Sequence, residues 1–512
     1  MKEEIDQKKL YYILEILFQD IKCNDKINKL VTYINNNKLN TDIVFNKIIE
    51  LTKLQNIKLR IYIYSVFMYI DKSSYFINKI LKLTKNSILS TNAKYYLLYQ
   101  CAAKSFSNKK FLDKNTHTYI RKLYNSIYQD FYTEFVNDLQ FIPKQKRDKK
   151  LILVFTSQFL DLNHAPTRRV LNRCIDLNLL GYKTILINTA EAVSLVESFP
   201  LCKAVAPNYI NKFSQYNSID HEEHSIPYFQ CTNNMPNTKE IGMILNMVKK
   251  SKPYLVFSFG NFNITSDLIN NIVPVANISL ESKIPITKSL FHIKGTNITN
   301  KDIKTLEKFD FTEKNLLINK FTYYLKEQTK QLNRKNLNIP DNKFIITLIG
   351  SRLTEEVDEH FIEALLKTTS NNTHIVFIGI FNKYDTLADK NKLFKNSTTN
   401  LGRQNDVLAI LECCDLYVNP PRAGGGSSSV EALSKGVPIL TLRSGDVYTN
   451  AGEEFSVKNT KQLIKKINLY ALDKKYYKKM SKKAIKKAKT LTETKKPLKK
   501  LIKTIKKNPL FK

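Results

Sequence analysis

The stretch that decides the fold is "NPPRAGGGSSSVEALSKGVPILTLRSGDV", residues 419–447. It places three glycines and three serines directly after an apolar strand-like run, in a chain with only 13 glycines among 512 residues. A helix-like segment follows and ends at Gly436, and a second apolar strand begins after it. The run therefore occupies a strand-to-helix turn. Backbone N–H groups at a helix N-terminus carry partial positive charge, so this turn suits a phosphate or diphosphate.

Within this glycine–serine turn, glycine lets the backbone approach a ligand closely and serine adds hydroxyl donors. The candidate residues are Gly424, Gly425, Gly426, Ser427, Ser428 and Ser429. Glu431 lies one turn into the helix, where its carboxylate can accept hydrogen bonds from sugar or ribose hydroxyls. The spacing matches neither the Walker A loop nor the Gly-x-Gly-x-x-Gly fingerprint. A flexible turn capped by serine is the alternative.

Short apolar runs alternate with helical patterns on both sides of this turn. "LILVFTS", "TILINT", "YLVFSFG" and "VPVANISL" lie within residues 150–310, and "FIITLIGS", "THIVFIGIF", "CDLYVNP" and "VPILTLR" lie within 340–455. Such alternation predicts βαβ units and two Rossmann-like halves with parallel sheets. Residues 300–335 are charged and are expected to form a helical bridge. Ligands of such sheets bind beyond the carboxyl ends of the strands, which predicts a cleft between the halves.

The first 142 residues have the periodicity of helices. Apolar residues recur three and four positions apart at both ends of this region. They are Leu10, Ile13, Leu14, Leu17, Phe18 and Ile21, and then Ile120, Leu123, Ile127, Tyr128, Phe131 and Phe135. "PKQKRDKK" (143–150) is predicted to be a linker. The predicted domains are 1–147, all helical; 148–335 and 336–458, both Rossmann-like; and 459–512, basic helices.

The formal net charge of +35 suggests nucleic acid or an anionic membrane as a partner. No nucleic-acid recognition motif accompanies the charge, so we expect no nucleic acid and assign to the lysine-rich C-terminus a peripheral contact with anionic membrane or an acidic partner. Seven scattered cysteines without a Cys-x-x-Cys pair fit a reducing compartment. The N-terminus lacks a signal-peptide pattern, and no apolar run reaches the ~20 residues of a membrane helix. The expected location is cytoplasmic, at most membrane-peripheral.

The segment "GGSSSVEALSKGVPILTL", followed by "SGDVYTNAG", resembles the nucleotide-sugar site of O-GlcNAc transferases and of the bacterial HMW1C-like protein glycosyltransferases. That resemblance implies that the serines hold the donor diphosphate, that Glu431 binds ribose and that Asp446 closes over the nucleotide. "LIGSRLTEEVDEHFIEALL" (348–366) is similar to the opening of such a donor domain, where Arg352 would grip phosphate oxygens. "NLGRQNDVLAILECCDLYVNP" resembles the segment before the sugar site, where Gln404 would read the base.

In the first half, "NHAPT" resembles the His-Pro loop at the active site of O-GlcNAc transferase-like enzymes. An inverting transfer needs a base for the acceptor proton, and His164, Asp161 and Glu191 are candidates among which the sequence does not choose. "DHEEHSIPYFQ" (220–230) carries two histidines without a third clear ligand, so we expect a polar acceptor-side loop rather than a metal site. No Asp-x-Asp follows a strand, and neither a metal nor another cofactor is expected.

The resemblance implies an α/β architecture of GT-B type, with two Rossmann-like domains facing a cleft after an all-α domain. The resemblance implies that the protein is a cytoplasmic, bacterial glycosyltransferase. It would move a hexose or N-acetylhexosamine from a nucleotide-diphosphate sugar, preferably a UDP-sugar, to a protein or surface-glycan acceptor. The first domain would bind acceptor or partner, the second would serve the acceptor side and the third the donor. Many retaining GT-B enzymes carry two glutamates here, and Ala423 replaces the first, which favours inversion. Alternatives are a non-hydrolysing UDP-sugar epimerase and a catalytically silent GT-B partner of another glycosyltransferase.

Overall fold

The protein is described by a computed structural model that divides into two compact units. It describes residues 6–51, 56–71, 73–86, 88–162, 164–193, 197–205, 209–281, 283–369 and 372–512. The first unit comprises residues 1–167, 182–277 and 286–290, and the second comprises 168–181, 278–285 and 291–512.

The first unit opens with seven helices, which confirms the predicted helical region. The helices are α1 (Gln7–Phe18), α2 (Cys23–Asn36), α3 (Thr41–Leu51), α4 (Ile57–Asp71), α5 (Ser74–Leu83), α6 (Thr91–Ser107) and α7 (Lys114–Phe135). All six periodic residues of α7 are buried, as the pattern predicts. In α1, however, Phe18 is 49% exposed and Ile16 is buried in its place on the helix face, so the apolar pattern there was only partly correct.

The α/β part of the first unit begins with β1 (Asp148–Thr156) and continues through α8 (Ala165–Leu179), β2 (Lys183–Asn188), β3 (Ser218–His221), β4 (His224–Gln230), α9 (Thr238–Ser251), β5 (Pro253–Phe259), α10 (Ile264–Ile269) and β6 (Val275–Ile278). The strand order is β3-β4-β2-β1-β5-β6. β1 is central and pairs in parallel with β2 and β5. From Arg168 onward, α8 belongs to the second unit.

Two local predictions for the first unit are wrong. Residues 220–230 form the antiparallel hairpin β3–β4, with His221 opposite His224, and not a loop. Alternating burial along β4 explains the pairing, because every second side chain enters the core. The expected linker is also structured: β1 starts at Asp148, and the buried Arg147 donates through Nε to the Ile142 carbonyl at 2.8 Å.

The second unit adds β7 (Phe291–Lys294), α11 (Asn300–Glu307) and β8 (Leu316–Ile318). Residues 319–334 then run without helix or strand, so the predicted helical bridge is wrong beyond α11. The backbone of this segment finds partners outside itself. The N–H of Tyr323 donates to the Leu491 carbonyl at 2.8 Å, and those of Thr329 and Lys330 donate to Asp406. These bonds replace the i→i−4 bonds that a helix would make.

The rest of the second unit is built on a six-stranded parallel sheet. The sequence predicts a parallel sheet here and four of its strands, without the short edge strands at 398–400 and 456–457. Its strands are β9 (Phe344–Gly350), β10 (Thr373–Gly379), β11 (Thr398–Asn400), β12 (Leu416–Val418), β13 (Ile439–Leu442) and β14 (Ser456–Val457), in the order β11-β10-β9-β12-β13-β14. The connecting helices are α12 (Leu353–Glu356), α13 (Glu359–Leu366), α14 (Tyr384–Lys390), α15 (Lys392–Ser397), α16 (Val407–Leu411), α17 (Gly426–Ser434) and α18 (Gly445–Ala451).

Three basic helices close the chain: α19 (Thr460–Leu472), α20 (Lys474–Thr492) and α21 (Lys495–Lys507). Their buried residues are apolar at helical spacing, such as Met480, Ala484 and Ala488 in α20. Most of the lysines lie on the opposite, solvated faces. Nowhere in the ranges given above is a helix both long enough and apolar enough to cross a bilayer.

A buried ion pair ties separate parts of the second unit together. Arg173 and Asp176 lie on α8, with their charged atoms 3.2 Å apart and side-chain exposures of 4% and 0%. Asp176 also accepts the hydroxyls of Tyr324 at 2.5 Å and Thr494 at 2.9 Å, and Arg173 donates to Thr322 at 2.9 Å. α8, the segment after β8 and the chain between α20 and α21 therefore share one polar cluster.

We expect Asp176→Ala to destabilise the protein by about 3–5 kcal/mol, because it leaves the Arg173 guanidinium buried without a counter-charge. Urea unfolding followed by circular dichroism measures the change. The matched control is Glu50→Ala, which removes one partner of the exposed Lys47–Glu50 pair and should change little. If both substitutions change the free energy of unfolding equally, the buried ion pair stabilises the protein no more than the exposed pair does.

Candidate functional site

The glycine–serine turn lies where β12 leads into α17. Gly425 is the N-cap residue and has a φ of +100°, in the left-handed region that favours glycine. No side chain caps the helix, so its first backbone N–H groups keep their donor capacity. Those groups and the helix dipole together present partial positive charge at the turn. The local geometry is therefore suited to an anion.

The three serines of the turn differ in their surroundings. Ser427 and Ser428 are half-buried in the first turn of α17. Ser429 is fully buried; its hydroxyl donates to the Gly426 carbonyl at 2.6 Å and accepts from Asn450 at 3.1 Å. The expectation that Ser429 donates to a ligand therefore needs correction, because its hydroxyl proton is used within the helix. Ser427 and Ser428 remain the candidate hydroxyl donors.

Arg422, one residue before Ala423, holds the turn in place. The side chain is buried, and its guanidinium donates to four oxygens: Asn419 Oδ1 at 2.8 Å, Glu356 Oε2 at 2.7 Å, the Ile349 carbonyl at 2.6 Å and the Tyr417 hydroxyl at 2.7 Å. Burial lowers the pKa of Arg422, but Tyr417 and Glu356 outweigh burial and the net shift is upward. Sequence reasoning missed this residue, although it lies within the stretch that identified the turn.

Two of the glycines allow this arginine to pack so closely. A Cβ atom at Gly425 would lie 2.7 Å from Nη2 of Arg422. A Cβ atom at Gly445 would lie 2.5 Å from the Arg422 carbonyl oxygen and 2.8 Å from that of Ala423. The close contact joins the two loops that the sequence singled out. Asp446 follows directly, its N–H donating to the Ala423 carbonyl at 2.7 Å and its side chain half-buried.

Arg352 lies at the start of α12, beside the same turn. Its guanidinium pairs with Glu356 Oε1 at 2.9 Å, and the side chain is 46% exposed. A Cβ atom at Gly424 would lie 3.4 Å from its Nη2. Glu356 thus joins Arg352 to the buried Arg422 through its two oxygens. The structure brings Arg352 to the turn, as the prediction requires.

Glu431 is half-buried on α17, one turn beyond the serines. Burial raises the pKa of Glu431, while Arg168 and Lys326 act in the opposite direction. These two cations come from α8 and from residues 319–330, a segment that we call the strap. No sequence pattern connects these two residues with Glu431.

The strap follows α17 along its length. At the start of the helix, the Tyr323 hydroxyl exchanges hydrogen bonds with Asn450, whose amide also donates to the Gly426 carbonyl at 3.0 Å. At the end of the helix, Lys435 donates to Gln328. The strap therefore brings aromatic, cationic and polar side chains to the helix that carries the candidate site.

Gln404 lies in the loop after β11. Its side-chain amide donates to the Leu401 carbonyl within the same loop. Across the described ranges it makes no hydrogen bond to the glycine–serine turn. Its role in reading a base stays a prediction.

Two of the predicted first-half residues share a loop between β1 and α8, next to Asn163, which is outside the described residues. The His164 N–H donates to the Asp161 carbonyl at 2.9 Å, and His164 Nδ1 lies 3.0 Å from the Thr167 hydroxyl. Asp161 is exposed and His164 is half-buried. Either side chain can reach solvent, as a base for an acceptor must.

Glu191 has a different environment. It is fully buried, and its carboxylate accepts from the N–H of Ile264 and from the N–H and hydroxyl of Thr265 at the start of α10. Burial raises its pKa to about 7, against the lowering effect of these hydrogen bonds. A carboxylate enclosed in this way cannot meet an acceptor. The structure therefore removes Glu191 from the candidate bases and gives it a structural role.

The hairpin histidines, His221 and His224, lie opposite each other in the β3–β4 pair. Among the residues that the structure describes, no group of three or more histidine, cysteine, aspartate or glutamate side chains could hold a metal ion. Metal independence remains a prediction about the reaction.

We expect Glu191 to contribute to the pH dependence of stability. The folded state keeps the carboxyl protonated up to a pKa of about 7, above the ordinary value of 4.5, so its stabilising contribution is complete below pH 4.5 and is lost as the pH rises towards 7. Urea unfolding of wild type and Glu191→Gln from pH 4.5 to 8 should show a flatter profile for the variant. Glu134→Gln, at an exposed position of α7, serves as the control. Parallel profiles for wild type and Glu191→Gln would contradict the assignment.

Part of the chain is similar to known glycosyltransferases. The family model described as "Glycosyl transferases group 1" matches residues 329–487, which include the turn and α17. The N,N'-diacetylbacillosaminyl-diphospho-undecaprenol alpha-1,3-N-acetylgalactosaminyltransferase of Campylobacter jejuni subsp. jejuni serotype O:2 is 29% identical over 163 residues. That match covers 30% of this chain and 42% of the relative, so the chain spans less than half of the curated relative's length.

Two solved structures share the fold. An O-GlcNAc transferase variant from Thermobaculum terrenum is similar over 98% of both chains, with a TM-score of 0.53 and 10% identity. A glycosyltransferase from Rickettsia africae ESF-5 is similar over 70% of this chain and 99% of its own, with a TM-score of 0.51 and 14% identity. The expected α/β fold of GT-B type is confirmed. Residues 329–487 match the group 1 glycosyltransferase family model, within a chain that has the fold of the GT-B glycosyltransferases.

Proposed function

We propose that this protein transfers a hexose or N-acetylhexosamine from a nucleotide-diphosphate sugar, UDP-linked by preference, to a protein or surface-glycan acceptor. The observation that carries the proposal is the uncapped N-terminus of α17, opened by Gly425 in the left-handed conformation. Such a helix end binds phosphate through backbone N–H groups. The group 1 glycosyltransferase domain around it makes a sugar diphosphate the natural ligand.

In the proposed reaction an acceptor oxygen forms a bond to the anomeric carbon of the sugar, and the bond from that carbon to the diphosphate oxygen breaks. The nucleoside diphosphate leaves with the bonding electron pair. The N–H groups of α17, the hydroxyls of Ser427 and Ser428, and the Arg352 guanidinium stabilise the charge that develops on the leaving group. Fixed donors of this kind serve without a metal ion, which is the metal-independent mechanism that we propose.

The remaining donor contacts are assigned by position. Glu431, one turn along α17, is proposed to accept hydrogen bonds from ribose or sugar hydroxyls, with Arg168 and Lys326 favouring its ionised form. Asp446 follows the Gly445 turn that packs on the glycine–serine turn and is proposed to close over the nucleotide. Gln404 is proposed to read the base. The donor domain is then residues 336–458, as the sequence predicts.

The acceptor side is assigned to residues 148–335, with the helical domain, residues 1–147, binding the acceptor or a partner protein. The proposed base is His164 or Asp161, since Glu191 is enclosed. The curated relative is named for transfer to a diphospho-undecaprenol-linked saccharide, so a lipid-linked glycan belongs among the surface-glycan acceptors to be tested. Inversion is proposed because Ala423 offers no carboxylate at the position where many retaining enzymes have their first glutamate.

The lysine-rich faces of α20 and α21 are proposed to contact anionic membrane. Both helices bury only apolar or small residues and leave rows of lysines in solvent, which favours attraction to anionic headgroups. In a sedimentation assay we expect the protein to associate with vesicles that contain phosphatidylglycerol and not with pure phosphatidylcholine vesicles. Loss of the association in 0.5 M salt is expected, whereas equal binding to both vesicle types would count against an electrostatic contact.

A thermal-shift panel of UDP-, GDP- and ADP-sugars tests the donor site. We expect one donor series to raise the melting temperature of wild type. The shift should vanish in Arg352→Ala, which loses the cation proposed to bind phosphate, and in Glu431→Ala, which loses the carboxylate proposed to accept hydrogen bonds from ribose or sugar hydroxyls. Lys483→Ala and Glu454→Ala remove the same two charge types from an exposed pair 2.8 Å apart and should keep the shift. An unchanged shift in both site variants would refute the site assignment.

Product analysis on the best donor separates the alternatives. A glycosyltransferase releases the nucleoside diphosphate only when an acceptor is present. A non-hydrolysing UDP-sugar epimerase changes the sugar without an acceptor. A catalytically silent partner would bind no donor and would copurify with an active transferase.

A further inference from the structure

The Arg169 side chain, on α8, packs its guanidinium against aromatic rings. Its Nε atom is buried and makes no hydrogen bond. Its contacts are with ring faces: the guanidinium carbon lies 4.3 Å from the centre of Phe321 and 5.9 Å from that of Tyr323. Over the described ranges no carboxylate lies within ion-pairing distance of it. Burial lowers its pKa to about 10, so the side chain stays charged at neutral pH.

A neighbour on the same helix shows what a purely structural arginine looks like here. Arg173, one turn further along α8, is paired with Asp176 at 3.2 Å and donates to Thr322 and to the Thr494 carbonyl. A partly buried charge without such partners is costly unless an anion compensates it. Arg169 therefore has the properties of a residue that meets an anionic ligand.

The surroundings of Arg169 lead directly to the first turn of α17. Tyr323, against which it lies, bonds through its hydroxyl to Asn450, and a Cβ atom at Gly426 would lie 2.6 Å from that hydroxyl. Asp446 attracts Arg169 electrostatically, and its Cβ would lie 3.4 Å from the same Cβ position at Gly426. Arg169 is thus one side chain away from the helix end where the anion is proposed to bind, on the Gly426 side. Arg352 lies on the Gly424 side.

We propose that Arg169 is a second cation for the donor diphosphate, so that the diphosphate lies over the glycine–serine turn between Arg352 and Arg169. This inference rests on the proposed function and adds to it a residue from α8, outside the segment 329–487 that matches the family model. Phe321 and Tyr323, both in the strap, support the planar guanidinium through their ring faces. The terminal nitrogens of Arg169 then supply a bidentate contact to phosphate oxygens.

The test compares a nucleoside diphosphate with its nucleoside. Dissociation constants are measured for UDP and uridine, GDP and guanosine, and ADP and adenosine, by calorimetry for the diphosphates and ligand-observed NMR for the nucleosides. For the pair that wild type binds, Arg169→Gln is expected to weaken binding of the diphosphate about tenfold to a hundredfold, because a charge-assisted contact is lost. Binding of the nucleoside should not change. The dependence of diphosphate binding on salt concentration should also become shallower.

Two further variants make the comparison decisive. Arg169→Met keeps an apolar stem against Phe321 and should show the same loss of diphosphate affinity. It can therefore replace Arg169→Gln in the test if that variant fails to fold. Lys483→Gln removes one exposed positive charge from α20 and should bind the diphosphate like wild type. Equal weakening of diphosphate and nucleoside would assign Arg169 a structural role and overturn the inference, as would unchanged diphosphate binding. If wild type binds none of the three diphosphates, the proposed function itself fails, and the inference with it.

Discussion

The structure of the candidate site depends on the buried guanidinium of Arg422. It bonds to oxygens at the end of β9, at the end of β12 and on α12, and so joins three elements beneath the glycine–serine turn. Glu356 neutralises its charge and also pairs with Arg352. The Arg422 side chain leaves no room for a Cβ atom at Gly425, and the carbonyl oxygens of Arg422 and Ala423 leave none at Gly445. The backbone N–H groups of α17 are thereby held in one orientation before any ligand arrives, which is what electrostatic stabilisation of a leaving group requires.

A second constraint acts through the strap and α8. The strap has no regular structure, yet Tyr323 and Gln328 bond to residues at the two ends of α17, and the Lys330 N–H bonds to Asp406 at the start of α16. The buried Arg173–Asp176 pair holds the same segment against α8 through Thr322 and Tyr324. Cationic residues from two distant parts of the chain, Arg168 and Lys326, consequently act on Glu431. The polarity of the site is therefore a property of the assembled second unit.

Sequence patterns predicted the parts of this protein whose signals are local. Apolar runs of strand length placed β9, β10, β12 and β13 correctly, and the glycine–serine turn was found from its composition alone. The patterns failed where distant contacts decide the conformation: residues 319–334 are not helical, and residues 220–230 pair as a hairpin. The supporting role of Arg422 was equally hidden, because its partners Glu356 and Ile349 lie 66 and 73 positions away in the chain.

By itself, the sequence determined that β-strands alternate with helices, that a helical region comes first, and that a glycine–serine turn leads into a helix near residue 430; the structure begins that helix at Gly426. These features follow from side-chain periodicity and from the backbone freedom of glycine, which act over a few residues. Only the tertiary structure decided that Ser429 turns inward, that Glu191 is enclosed, and that Arg169 reaches the vicinity of a helix more than 250 positions further along the chain. Burial and electrostatic attraction depend on separation in space, and folding alone sets that separation.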